Sequence, residues 1–76
     1  MNKNMTNKQK DIDNMKCWVF RMAQKSWNKK PEECAQLFCE YGLFKYISES
    51  YDYLHLNGYN TVLNELENIL REKGVL

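Results

Sequence analysis

Between Leu43 and Gly58 the chain carries an apolar pattern too wide for an ordinary surface helix. Set on a helix at about 100° per residue, Leu43, Ile47 and Leu54 fall in the middle of the apolar arc. Tyr46 and Tyr53 stand at one edge, Phe44 and Tyr51 at the other. The arc covers roughly 200°, against the ~100° stripe of a helix that packs on one side. A helix of that kind needs cover on two sides. Lys45, Glu49 and Asp52 fill the remaining sector, which therefore meets water. The pattern predicts a helix over 43–57, central in a small bundle, with the other helices laid around it.

The rest of the chain supplies those helices. Its 76 residues include one proline and three glycines, and so few breakers favour helices over strands and turns. The predicted fold is all-α, a single-domain bundle of about four helices over 10–76 behind a flexible basic tail at 1–9. Helix one, about 10–27, starts at Asp11 or Asp13, acids suited to the positive end of a helix dipole. It turns Ile12, Met15, Val19, Met22 and Ala23 inward; Trp18 widens the arc on one side, Phe20 and Trp27 on the other. Pro31 opens helix two, where its missing N–H is not needed. That helix runs to Tyr41 with Cys34, Leu37, Phe38 and Tyr41 inward, and Gly42 follows in the left-handed conformation. Gly58 is expected to end helix three in the same way. Helix four, about 60–73, takes Asn60 or Thr61 as N-cap. It buries Val62, Leu63, Leu66, Ile69 and Leu70 and turns Glu65, Glu67, Arg71 and Glu72 outward.

Charge is unevenly spread. Residues 1–30 hold eight Lys or Arg and two Asp, and residues 31–76 hold three basic and eight acidic residues. A basic face for nucleic acid, built from Arg21, Lys25, Lys29 and Lys30, is one reading. The plainer one sets a basic first helix against acidic neighbours inside the fold, and no aromatic-interleaved basic motif argues otherwise. Nucleic acid is therefore not the expected partner. The three cysteines, Cys17, Cys34 and Cys39, lack the paired spacing of a disulfide framework. With no long apolar run to span a membrane, a cytoplasmic protein with reduced thiols is expected.

Tyr41-Gly42-Leu43-Phe44-Lys45-Tyr46-Ile47, followed by Tyr51-Asp52-Tyr53-Leu54-His55-Leu56-Asn57-Gly58, is a more specific pattern. It resembles a family of short bacterial proteins catalogued only as a domain of unknown function, marked by Tyr-Asp-x-Leu-His-x-x-Gly. Here the motif residues are Tyr51, Asp52, Leu54, His55 and Gly58, and the likeness covers roughly residues 12–74. The resemblance brings no activity, cofactor or catalytic residue. It implies an accessory or toxin-neutralising role beside ADP-ribosyltransferase-like proteins.

Three classes of function compete. Asp52 and His55 are three apart and meet on a helix, as an acid that orients a general base would. No nucleophile accompanies them, and His55 in a last turn suits a capping role. One His and two diverging thiols do not make a zinc set, so neither a metal nor a cofactor is expected. Leu56 falls in the polar sector of helix three, and Trp18 stands at the edge of helix one. With Tyr53 they form the candidate interface of a protein-interaction module, and the expected partner is another protein or a second copy in a homodimer.

Overall fold

The computed structural model describes residues 7–76. They form five helices: α1 (Asn7–Trp27), α2 (Pro31–Glu40), α3 (Leu43–Glu49), α4 (Tyr51–Leu54) and α5 (Tyr59–Glu72). Among the described residues there is no strand, so the all-α reading stands. Residues 1–6 of the expected tail lie outside the described residues. Residues 7–9 belong to α1, which therefore begins a turn before Asp11. Gln9 Nε2 donates to Asp13 Oδ1 at 3.2 Å, one turn along this early stretch.

Each helix end has a local cause. Asn28 takes the left-handed conformation (φ 54°) after α1, and the Lys29 N–H closes back on the Gln24 carbonyl at 3.1 Å. This is the Schellman arrangement with Asn in place of Gly. Pro31 then starts α2, and Glu33 reaches back to accept the Lys30 N–H at 3.0 Å. Gly42 is left-handed as expected (φ 63°). Gly74 repeats the device after α5, where the Val75 N–H reaches the Leu70 carbonyl at 2.9 Å.

The predicted third helix is divided. Ser50 (φ −104°, ψ 11°) leaves the helical conformation between α3 and α4. Its N–H still bonds to the Tyr46 carbonyl at 2.9 Å, and its own carbonyl accepts the Leu54 N–H at 2.8 Å. Ser48, Ser50 and Asp52 cluster at this point, residue types with weak helix preference. The two pieces keep one apolar phase all the same, since Leu43, Ile47 and Leu54 are fully buried. Gly58 also departs from expectation. It is extended (φ −74°, ψ 164°) and serves as the N-cap residue of α5, which starts at Tyr59 ahead of Asn60 and Thr61. The stop before it comes from Asn57, whose Nδ2 donates to the Tyr53 carbonyl at 3.3 Å. That is the capping role expected of His55.

The core joins Met15, Val19 and Ala23 of α1, Cys34 and Phe38 of α2, Leu43 and Ile47 of α3, Leu54 of α4 and the Val62–Leu70 stripe of α5. α1 is the spine that packs on α5, α3 and α2, while α3 has α1 and α2 against it. The wide arc of α3 thus receives its two-sided cover. Phe20, Phe38 and Phe44 meet where those three helices converge, with ring centroids 4.8 to 5.9 Å apart. Trp27 adds its ring to Phe38 at 6.0 Å and its Nε1–H to Glu67 Oε2 at 2.8 Å. Glu67, expected outward, is drawn in by that bond and also faces Arg71 at 3.6 Å. Glu65 is likewise half-buried.

Candidate functional site

The motif residues do not gather at one point. Leu54 is core, and Gly58 is backbone geometry. Asp52 is drawn to Lys8 of α1, whose Nζ stands 2.8 Å from Asp52 Oδ1 on an exposed surface. That hydrogen bond and the charge behind it hold the Asp52 carboxyl below its usual pKa, with His55 adding a smaller push the same way. His55 stacks on Tyr51 one turn earlier, centroids 5.0 Å apart and planes within 16°. The Asp-orients-His arrangement is therefore absent: each member has a different partner.

What the motif does build is one wall of a cleft. Tyr51 of α4, His55 just after it, Asp11, Asn14 and Met15 of α1 and Tyr59 of α5 line a recess of about 220 Å³. Desolvation raises the pKa of the Tyr51 hydroxyl, followed by the Asp11 carboxylate, while Lys8 acts in the opposite direction. Asp11, Asn14 and Tyr59 were not singled out from sequence. Their only linear signal is that Asp11 and Asn14 are one helical turn apart at the rim of the inward face of α1.

The candidate interface residues are exposed, Trp18 and Tyr53 each at 54% and Leu56 at 76%. Trp18 lies on α1, Tyr53 on α4, and Leu56 in the turn that follows. Tyr53 stands close enough to Tyr46 to help raise the pKa of that hydroxyl, behind burial and the Glu65 carboxylate. Trp18 lies one turn from Asn14 and Met15 on one side and from Met22 on the other. Met22, Lys25, Ser26, Asn60 and Leu63 line a second, more open groove of about 270 Å³. Along α1, Trp18 therefore stands between the residues of the two recesses and lines neither.

The basic candidates are dispersed in role. Arg21 lays its guanidinium 5.6 Å from the Trp18 ring centre. Lys25 lines the second groove. Lys29 shares a recess with Glu33 and Glu40, and the Lys30 N–H is held by Glu33. Lys8, which sequence reading did not single out, makes the cross-helix ion pair with Asp52. The cysteines diverge as their spacing requires. Cys34 is buried, with desolvation raising its pKa, while Cys17 and Cys39 are exposed and free. Among the described residues no group of three His, Cys, Asp or Glu is placed to hold a metal ion, and no helix is long and apolar enough to cross a membrane.

Among the described residues, five helices around one core, with a small polar cleft and exposed aromatic side chains, define a compact helical domain. The family model for the protein of unknown function DUF3791 matches residues 14–73, and the chain belongs to that family. No curated protein and no solved structure matches it.

Proposed function

We propose that this domain is a protein-interaction module that acts by docking, as an accessory or antitoxin-like partner of an ADP-ribosyltransferase-like protein. The observation that supports this is a contrast between side chains of one kind. Phe20, Trp27, Phe44 and Tyr46 are drawn against the core, while Trp18, Tyr53 and Leu56 keep more than half of their surface in water. Trp and Tyr are the side chains most enriched at the energetic centres of contact surfaces. Arg21 stacked on Trp18 extends that surface with a cation suited to an interface. The nucleic-acid reading gains no support from the basic residues: Arg21 lies against Trp18, and Lys25 lines the second groove.

The test is co-purification from the native host with the product of the neighbouring gene, together with light scattering at micromolar concentration for a homodimer. Trp18→Glu and Leu56→Glu should leave the circular dichroism unchanged and abolish capture or self-association. A monomer that captures nothing, or folded variants that bind as well as the parent, would remove the reading.

A further inference from the structure

The cleft between α1, α4 and the start of α5 has a composition that selects one kind of occupant. Tyr51, His55 and Tyr59 contribute three aromatic rings, Asp11 a carboxylate and Asn14 an amide. Aromatic faces carry the negative end of a quadrupole and attract cations, most strongly when a carboxylate stands with them. The formal charges nearby sum the same way. Lys8 is neutralised by its ion pair with Asp52, which leaves Asp11 as the uncompensated charge of the lining. The N-terminus of α5 at Tyr59 adds only about half a positive charge. Size narrows the choice further. About 220 Å³ is too small for the molecules that fill small-ligand sites of ~300–1,000 Å³. It suits one long side chain.

We propose that this cleft receives a single cationic side chain, an arginine or a lysine, of the protein partner, with its charge on Asp11 and its stem against the rings of Tyr51, His55 and Tyr59. This rests on the reading of the domain as a protein-interaction module and gives its partner a chemistry. The partner presents an exposed basic residue near an apolar surface, so that the side chain enters the cleft while its apolar neighbours meet Trp18. Trp18 is one turn along α1 from Asn14 and Met15 of the cleft, which makes the two contacts adjacent.

The experiment is an NMR titration of the full chain with N-acetyl-arginine methylamide and, separately, its neutral isostere N-acetyl-citrulline methylamide. The arginine probe should shift the amide signals of Asp11, Asn14, His55 and Tyr59 in the millimolar range, and citrulline should shift them far less. Asp11→Asn and Tyr59→Leu should each weaken arginine binding by about two- to fivefold. Lys8→Ala leaves the Asp52 carboxylate unpaired beside the cleft and should strengthen that binding, the reverse of Asp11→Asn. Equal shifts from the two probes, arginine shifts centred instead on Glu32, Glu33 and Glu40, or indifference to Asp11→Asn would overturn the proposal. Its failure is separable from that of the interaction reading. If the parent captures its partner but the Asp11→Asn variant captures it equally well, the cleft is refuted and the module is not.

Discussion

Truncating Leu54 to Ala tests the architecture at its thinnest point. α4 has four residues, and Leu54 is its one buried side chain. It is completely withdrawn from water and lies in the same core cluster as Leu43, Ile47 and Leu66. The change removes two methyl groups and one branch carbon. Transfer alone is worth about 0.8 kcal/mol per carbon, or roughly 2.4 kcal/mol. The cavity left behind brings the expected loss to ~2–5 kcal/mol, according to how far the site collapses. A domain of this size has on the order of 3–5 kcal/mol in total. Each kcal/mol corresponds to about 4–8 °C in melting temperature at this length. Leu54→Ala should therefore melt at least about 8 °C below the parent or fail to fold at 37 °C.

Two companion variants make the result interpretable. Leu54→Met keeps the volume and should cost less than about 1.5 kcal/mol. Lys45→Ala lies on the wet side of α3 and should change stability by no more than about 0.5 kcal/mol. Thermal unfolding followed at 222 nm measures all three. Equal melting temperatures for Leu54→Ala and Lys45→Ala would mean that the wrong face of this segment has been placed inward.

Other expectations bear on single contacts. Asp52 should titrate below the ordinary Asp range of about 3.9, and Lys8→Ala should return it toward that range in a carboxyl-detected NMR titration. Because the folded pKa is depressed, the linked stability is fully present above the unfolded pKa and is lost as pH falls through the folded one. Trp27→Phe removes the donor to the half-buried Glu67 and should cost ~1–3 kcal/mol in urea unfolding. A loss no larger than that of a surface substitution would show the bond to be incidental. Gly42→Ala forces a side chain into φ 63° and should destabilise by ~1–2 kcal/mol, though nothing stands within 4 Å of the new Cβ. Gly58→Ala meets open space at an unstrained φ, so the entropic gain is offset by the poorer fit of Ala at an N-cap, and stability should change by no more than about 0.5 kcal/mol. The opposite order in paired melting curves would show that Gly58 is the left-handed residue.

Those two glycines show where linear reading runs out. Both follow an apolar run, and both have the look of a helix stop. At Gly42 the stop and the left-handed turn coincide. At Gly58 the chain has already left the helix at Leu54, Asn57 caps the Tyr53 carbonyl, and the glycine is free to be extended and begin α5. Nothing in the residue type separates the cases; the preceding three residues do. The break at Ser50 is hidden for a related reason. Leu43 and Leu54 are eleven residues apart, close to three helical turns, so a periodicity count passes smoothly over a local interruption. Trp18 and Trp27 pose the same problem sideways. Helix one offers two apolar edges, and only the placement of Phe38 and Phe44 decides that the Phe20–Trp27 edge is covered while the Trp18 edge is not. Periodicity fixes which residues face inward along one helix. It carries no information about which neighbour lies on which flank.

The candidate site fails to be legible by the same logic, at longer range. Spacing of three allows Asp52 and His55 to meet, but it does not require them to. Lys8, far back in the chain, reaches Asp52 with a full positive charge at 2.8 Å. That ion pair brings an ammonium cation directly onto the carboxylate, a charge-assisted bond. His55, released from Asp52, lies on the Tyr51 ring instead. A contest between a local partner and a distant one is decided by tertiary packing, which brings the first turn of α1 beside α4. The same packing sets Asp11, one turn after Lys8, beside the Tyr51–His55 stack. The ion pair that dismantles the apparent catalytic dyad thus anchors the aromatic and acidic cleft, and a reader of the motif alone sees the dyad and misses the cleft.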